Sequence, residues 1–129
     1  MTSTIKVDNI APSAGGTEFS LTRGVAKAWV SFDGTGTVSI KNSENVSSLV
    51  DQDTGSYSVN FTASMGDNDF IYSVSGGNGP DGGNNTFQGG NTDHSGASTA
   101  SAFKFQTHNQ GGTVFDPAEA SNIIYGDLA

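Results

Sequence analysis

Residues 23–36 restrict the fold more than any other stretch, because they contain the only tryptophan and the longest strand pattern of the chain. Successive side chains of an extended chain point to opposite faces. One face is apolar throughout and consists of Ala26, Ala28, Val30 and Phe32. The other face is mixed and consists of Val25, Lys27, Trp29 and Ser31. We predict a strand whose first face lies on a core and whose second face is partly covered by a neighbouring sheet, loop or subunit.

The rest of the chain repeats short strand patterns separated by turns. Residues 33–36 have turn chemistry, and Val38 and Ile40 resume the alternation, which predicts a central hairpin. Further strands are predicted at 4–9, 18–22, 56–62, 70–75, 102–106 and 122–126, with a short strand or irregular cover near 46–50.

Three of these segments carry more specific expectations. The strand at 56–62 is expected to be half-buried and to pair with the strand at 70–75, because both place aromatic residues on one side. The strand at 122–126 is expected to be central or at a subunit contact, since its apolar residues fall on both faces. Residues 116–119, Asp-Pro-Ala-Glu, have the residue types of a helix start, with room for one turn.

Size and composition fit one small β domain. A chain of 129 residues with 18 glycines and three prolines favours many short strands joined by frequent turns. We predict an all-β fold, an antiparallel β-sandwich of about eight strands in a jelly-roll-like arrangement. Without cysteine the chain can form no disulfide and no thiolate metal site.

The charge balance restricts the partners. Thirteen acidic residues against five basic ones give a formal net charge of −8, which opposes binding to nucleic acid or to an anionic lipid surface. The first residues lack the pattern of a signal peptide, and no stretch has the roughly 20 apolar residues of a membrane span. We expect a soluble chain made in a cytoplasm, with neither nucleic acid nor membrane insertion among its interactions.

Several segments resemble tail-fibre and fibre-like virion proteins of tailed bacteriophages, especially phages of marine and photosynthetic bacteria. In chain order these segments are STIKVDNI at 3–10, GVAKAWVSFDGTG at 24–36, DTGSYSVNFT at 53–62, FDPA at 115–118 and IYGD at 124–127. The resemblance implies a virion protein made in the host cytoplasm, a homotrimer, contacts with other virion proteins, and a host-surface glycan or protein as receptor. It further implies an attachment arm at residues 1–16 and a sandwich module at 17–129.

The Gly/Asn-rich segment 76–100 falls outside the resemblance and is expected to be a long loop at one end of the module. A fibre module would touch its receptor through such loops. The candidate receptor contacts are Asn78, Asn84, Asn85, Phe87, Asn91, His94 and, in the next turn, His108. The candidate packing and assembly residues are Val25, Lys27, Trp29, Ile123 and Tyr125. Trp29 is also a conceivable platform for a sugar ring, although packing is the more common role of a strand tryptophan.

Motifs of catalysis are missing from the sequence, so a non-enzymatic protein without cofactors is expected. There is no Gly-x-Ser-x-Gly elbow, no His-Glu-x-x-His and no phosphate-binding loop. The pairs Asp51-x-Asp53 and Asp67-x-Asp69 offer oxygen ligands to Ca²⁺, but turn capping is the more common role of such aspartates. A tail fibre or fibre tip is therefore the first hypothesis. A capsid-decorating or head-fibre protein is the alternative, since the chain is short for a whole fibre and has no shaft repeat. A carbohydrate depolymerase is the third.

Overall fold

A computed structural model of the chain describes residues 3–10, 15, 17, 19–77, 96–109 and 111–129. Within these residues the chain is all-β, with one helical turn, α1 (Leu21–Gly24). The strands are β1 (Asn9–Ile10), β2 (Phe19–Ser20), β3 (Ala28–Asp33), β4 (Ser39–Glu44), β5 (Val46–Asp53), β6 (Ser56–Phe61), β7 (Ile71–Gly77), β8 (Ala102–Gln106) and β9 (Glu119–Tyr125). They form a four-stranded sheet in the order β4-β3-β9-β7, a three-stranded sheet in the order β5-β6-β8, and the small pair β1-β2. All pairings are antiparallel.

The central hairpin predicted from the sequence is confirmed. Strands β3 and β4 pair from Trp29 opposite Glu44 to Asp33 opposite Ser39. The carboxylate of Asp33 closes the turn, because its Oδ1 accepts hydrogen bonds from the Thr35 backbone N–H at 2.9 Å and from the Thr35 hydroxyl at 2.6 Å. These bonds favour the charged form and hold the pKa of Asp33 below its usual value.

The two larger sheets pack face to face, as in a β-sandwich. The four-stranded sheet contributes Ala28, Val30 and Phe32 of the predicted core face together with Ala120 and Ile124 of β9, all buried. The fourth residue of that predicted face, Ala26, precedes β3 and is partly exposed. The three-stranded sheet contributes Tyr57, Val59 and Phe61 from β6 and Phe103 and Phe105 from β8. Aromatic rings meet across the interface: Phe32 lies edge-on to Tyr57 with ring centroids 5.1 Å apart. The buried side chains between the two sheets form the hydrophobic core of the domain.

The predicted pairing of segments 56–62 and 70–75 is wrong. Strand β6 lies between β5 and β8, whereas β7 is the edge strand of the other sheet and pairs with β9. The aromatic residues of the two segments do meet, but through the core: the rings of Phe61 and Phe70 are 5.9 Å apart and nearly perpendicular. Shared aromatic faces therefore marked two strands in opposing sheets rather than neighbours in one sheet.

Strand β6 also departs from the expected half-buried pattern, since Ser56 and Ser58 on its second face are buried as well. The strand is central in its sheet, and its short serine side chains lie between longer neighbours. Gln106 of β8 is opposite Ser56 and donates a hydrogen bond to its hydroxyl at 3.0 Å. Short polar side chains on this central strand are thus buried between the side chains of the two flanking strands.

Three further predictions, two near the N-terminus and one before the last strand, are also wrong in whole or in part. Residues 3–7 are irregular, and the predicted strand at 4–9 is reduced to β1, which pairs with β2. The predicted strand at 18–22 ends after Ser20, where α1 begins and the Leu21 N–H bonds to the Asp8 carbonyl at 2.9 Å. Residues 115–118 are irregular rather than the start of a helix, and β9 begins at Glu119.

Strand β9 is central, as its apolar residues on both faces indicated, and β7 is longer than predicted. Gly76 and Gly77 pair with Ala120 and Glu119, so the predicted loop 76–100 begins two residues later. Its other described end runs beside the edge strand β8, where the Ser98 hydroxyl accepts a bond from the Lys104 N–H at 3.0 Å. The two described ends therefore lie at strands of different sheets. Residues 78–95 lie outside the described residues.

Asn45 forms the corner between the two sheets. It joins β4 to β5 with a left-handed backbone, φ 53°. Its side chain makes two bonds to Ala63: the Oδ1 accepts from the Ala63 N–H at 2.7 Å and the Nδ2 donates to the Ala63 carbonyl at 3.0 Å. Asparagine is one of the few residues other than glycine that tolerate this conformation, and here its amide also fixes the neighbouring loop.

These two contributions of Asn45 are separable by substitution. Asn45→Gly keeps the backbone conformation and loses the amide bonds, whereas Asn45→Ala loses both, so we expect Asn45→Ala to be less stable than Asn45→Gly by about 1 kcal/mol. Equilibrium urea unfolding of both variants measures this difference. Equal losses would show that only the amide bonds matter at this corner.

Asn122 is the one core position of β9 that is polar. It is 1% exposed and lies between Val30 of β3 and Val74 of β7 in the sheet register. Neither its Oδ1 nor its Nδ2 has a hydrogen-bond partner among the described residues. A buried amide without a partner destabilises the folded state.

We expect Asn122→Leu to raise the free energy of unfolding by about 1–3 kcal/mol, because leucine has the same branched shape and no polar atoms to desolvate. Asn122→Asp is the matched control and should lower stability, since a carboxylate is costlier to bury. Urea unfolding at neutral pH measures both. A destabilised Asn122→Leu would mean that the amide is hydrogen-bonded in solution, for example to an internal water molecule.

Candidate functional site

A hydrogen-bonded cluster around Tyr57 closes one end of the sandwich. The Tyr57 hydroxyl donates to Asp116 Oδ1 at 2.8 Å and lies 3.4 Å from the Gly34 carbonyl oxygen. The same carboxylate oxygen accepts from the Gly55 N–H at 2.7 Å. The Gly34 N–H in turn donates to the Pro117 carbonyl at 2.7 Å. The cluster therefore joins the β3–β4 turn, the β5–β6 turn and the segment before β9.

Glycine is required at both turns of this cluster. A Cβ at Gly34 would collide with the Tyr57 hydroxyl. Gly55 has a left-handed backbone, φ 66°, and a Cβ there would come within 2.9 Å of backbone atoms of Phe115 and Thr107. These contacts also explain why Asp116 does not begin a helix: its carboxylate is committed to Gly55 and Tyr57.

The cluster is a structural tie rather than a reactive centre. Burial raises the pKa of Tyr57, and the hydrogen bond to Asp116 and the charge of that carboxylate raise it further. Strongly shifted groups often mark active sites. Here, however, the side chain is 0% exposed and its hydroxyl already contacts both Asp116 and Gly34, so a substrate could not reach it.

The outer face of the four-stranded sheet is apolar over the half that lies away from this tie. Trp29 of β3 is opposite Ile123 of β9, and Tyr125 of β9 is opposite Ile71 of β7. Ile71 is 73% exposed, Ile123 is exposed, and the two aromatic side chains are half-buried. We call these four residues the apolar face. Exposed apolar residues that adjoin one another in this way are typical of surfaces that meet a partner.

The sheet register therefore brings together three of the five residues predicted for assembly. Trp29, Ile123 and Tyr125 belong to the apolar face, and Ile71 joins them. Val25 is exposed just before β3, at the same end of the sheet. Lys27 is half-buried, and its Nζ donates to the Leu21 carbonyl at 2.9 Å, so it holds α1 beside the start of β3.

A cleft of about 250 Å³ adjoins the apolar face. Ile71 and Tyr125 form its apolar part, and carboxylates come from Asp67 and Asp69 in the loop before β7. Gly126 and Asp127 complete its lining. The Asp69 N–H bonds to Asp67 Oδ1 at 2.9 Å, which fixes the loop in a turn. We call this site the acidic cleft. It combines negative charge with apolar surface, so it suits a ligand with both a cationic and an apolar group.

Most of the predicted receptor contacts, Asn78 to His94, lie outside the described residues. His108 is described, and it lies in a short loop closed by Asn109, whose side-chain oxygen accepts from the N–H groups of Gly111 and Thr113. The Nδ1 of His108 is 3.1 Å from the Gly112 carbonyl oxygen. One nitrogen of this half-buried ring is therefore engaged within its own loop, and the geometry does not bring His108 to the acidic cleft or the apolar face.

The aspartate pairs act as turn caps. Asp53 Oδ1 accepts from the N–H of the next residue, Thr54, at 2.8 Å, and Asp67 Oδ1 accepts from the N–H of Asp69, two residues on, at 2.9 Å. Partial burial raises the pKa of Asp51, and the carboxylates of Asp116 and Asp53 raise it further. Over the described part of the chain, no three His, Asp or Glu side chains are grouped to hold a metal ion. The helical turn α1 is far too short to cross a bilayer, and the described residues contain no helix that could.

Comparison with protein-family models, curated proteins and solved structures finds no match for this chain. The site is therefore interpreted from its own geometry. Sequence reasoning missed Ile71 and the acidic cleft. Alternation along 70–75 puts Phe70, Tyr72 and Val74 on one face and Ile71 on the other. Only the pairing of β7 with β9 shows that Ile71 lies beside Tyr125.

The tie predicts a loss of stability in alkali. The unfolded chain releases the Tyr57 proton near pH 10, whereas the folded chain retains it because its pKa is raised. The contribution of Tyr57 to the free energy of unfolding is thus fully present below pH about 10 and declines as pH rises above that value. We expect Tyr57→Phe to cost about 2 kcal/mol at neutral pH, the value of a hydrogen bond to a charged acceptor, and to lose less stability than the wild type between pH about 8 and 11.

Urea unfolding of both proteins across this pH range measures the effect. Tyr72→Phe serves as the control, since that side chain is partly exposed and is not part of the tie. Parallel pH profiles for wild type and Tyr57→Phe would contradict the assignment of the alkaline loss to Tyr57.

Proposed function

We propose that the chain is a non-enzymatic structural protein of a tailed-bacteriophage virion, a tail fibre or fibre-tip module that attaches the particle to its host. The proposal begins from the sequence resemblance over residues 3–10, 24–36, 53–62 and the C-terminal segments. It includes the finer architecture expected from that resemblance: a jelly-roll-like sandwich, assembled as a homotrimer, with residues 1–16 as an arm.

The observation that supports this proposal best is the amount of apolar surface on a single copy. Ile71 and Ile123 of the apolar face are exposed, and so are Ile5, Val7 and Ile10 near the N-terminus. A protein that works alone rarely leaves neighbouring apolar residues in water. Subunits that assemble bury them at interfaces, and aromatic residues such as Trp29 and Tyr125 are enriched there. The surface thus supports an assembling, structural role.

The Gly/Asn-rich segment supports the adhesive part. One described end lies on β7 and the other runs beside β8, and these are edge strands of the two packed sheets. A rigid sandwich that carries variable loops is a common design for recognition, because the scaffold holds the loops while their sequence changes. Several copies per particle would turn weak contacts of single loops into useful avidity.

A capsid-decorating or head-fibre protein is the second candidate. The exposed apolar residues of the N-terminal region support this candidate as well as they support the tail fibre, because such a segment would fit a capsid shell as well as a fibre. The two roles differ in location, and labelling of intact particles with an antibody against this chain separates them: label on the tail supports the first and label on the shell supports the second.

The adhesive role predicts a loss of adsorption when the loop is replaced. Particles in which residues 79–94 are exchanged for a Gly/Ser linker of equal length should adsorb to host cells at least about tenfold more slowly, since the loss at each copy is multiplied by avidity. The measurement is the rate at which free particles disappear from a suspension of cells. Particles that carry Val50→Ser, a change of an exposed residue on β5, provide the control. Normal adsorption of the loop-exchanged particles would rule out the receptor role and favour the second candidate.

A further inference from the structure

The N-terminal segment, residues 3–10, exposes its apolar side chains although it is held close to the sandwich. Ile5 is 87% exposed, and Val7 and Ile10 are exposed as well. The segment is anchored at its end, where the Asp8 carbonyl accepts from the Leu21 N–H at 2.9 Å, and Leu21 is in turn bonded to Lys27 before β3. The segment thus projects from the same end of the sheet as the apolar face.

The sequence of this segment matches the chemistry of the acidic cleft. Lys6 lies between Ile5 and Val7, and the cleft presents Asp67 and Asp69 beside Ile71 and Tyr125. Alternate side chains of an extended segment point in opposite directions. An extended chain in the cleft would therefore place its two apolar side chains on the apolar part and its ammonium group on the carboxylates.

The charge of the protein makes this match selective. Only five Lys and Arg residues stand against 13 acidic ones, so few segments of the chain can offer a cation to the cleft. Lys6 is the one that has an apolar residue on each side within an exposed segment. Opposite charges that meet at an interface fix which surfaces pair and in which register.

We infer that the N-terminal segment of one copy binds in the acidic cleft of a second copy. Within one copy the two do not meet, since Ile5 and Ile71 are both largely exposed. Each copy therefore carries one segment and one cleft. This pairing of two different surfaces builds either a closed ring, such as a trimer, or an open chain. The inference deepens the assembly part of the proposed function and rests on it for the number of copies.

Disulfide trapping tests the contact directly, because the natural chain has no cysteine. Ile5→Cys or Val7→Cys is mixed with Ile71→Cys, each protein carrying a different tag, and the mixture is oxidised. The disulfide requires Cα atoms within about 7 Å, so we expect the mixed product to form at least about tenfold more than with Val50→Cys in place of Ile71→Cys, because binding raises the local concentration. Equal yields with the two partners would overturn the inference.

Charge reversal tests the cation in solution. Lys6→Glu should weaken self-association about tenfold or more, and combining it with Asp67→Lys and Asp69→Lys should restore association. Lys41→Glu, the same change at an exposed position on β4, should leave association unchanged. Sedimentation equilibrium of the full chain over a range of concentrations measures association, and circular dichroism checks that each variant is folded.

The outcomes separate this inference from the proposal on which it rests. A wild-type oligomer that is insensitive to Lys6→Glu, without trapping above the Val50→Cys control, would overturn the inference and leave assembly intact. A wild-type chain that stays monomeric up to about 100 μM, well above the Kd of a stable assembly, would overturn both the inference and the trimer. The adsorption of loop-exchanged particles is unaffected by either result and tests attachment on its own.

Discussion

The hydrogen bonds of the Asp116 carboxylate are the constraint on which the sandwich depends. They join Tyr57 and Gly55 of the three-stranded sheet to the segment that leads into β9 of the four-stranded sheet. These contacts span about 60 residues of sequence, so they close long loops that would otherwise remain independent. Hydrophobic packing is not directional and tolerates small shifts of one sheet over the other. The hydrogen bond from the buried Tyr57 hydroxyl to Asp116 is directional and does not tolerate such a shift. The tie therefore fixes how the two sheets face each other.

The tie also gives the molecule two different ends. Near it, the outer face of the four-stranded sheet carries a row of serines, with Ser31, Ser121 and Ser75 side by side in the register. At the other end the equivalent rows hold Trp29, Ile123, Tyr125 and Ile71. The chemistry of one continuous face thus changes from polar to apolar within a few residues along each strand. One end satisfies its polar groups internally, and the other leaves apolar side chains exposed.

The extent to which the sequence predicted this structure depends on the range of the interactions involved. The alternating pattern of β3 was sufficient to predict the strand and its core face, because alternation depends only on neighbouring residues. The apolar residues on both faces of β9 correctly predicted its position inside a sheet. The pairing of segments 56–62 and 70–75 could not be read in this way, because aromatic faces in the core look the same whether strands are neighbours or lie opposite. At Asp116 a local helix-start signature competed with a tertiary hydrogen bond to Tyr57, and the tertiary bond prevailed. The apolar face required the register of three strands, and sequence reasoning therefore named Trp29 and Tyr125 but missed Ile71.

Charge decides what kind of assembly such a chain can form. Each copy carries a formal charge of −8, so copies repel one another at a distance. At physiological ionic strength this repulsion is screened over about 8 Å, and only groups that come into close contact determine whether association is favourable. An interface made of apolar surface alone would leave Asp67 and Asp69 facing the acidic surface of a neighbour. A cation that binds beside apolar side chains would neutralise the repulsion at Asp67 and Asp69. The segment around Lys6 has both a cation and apolar neighbours.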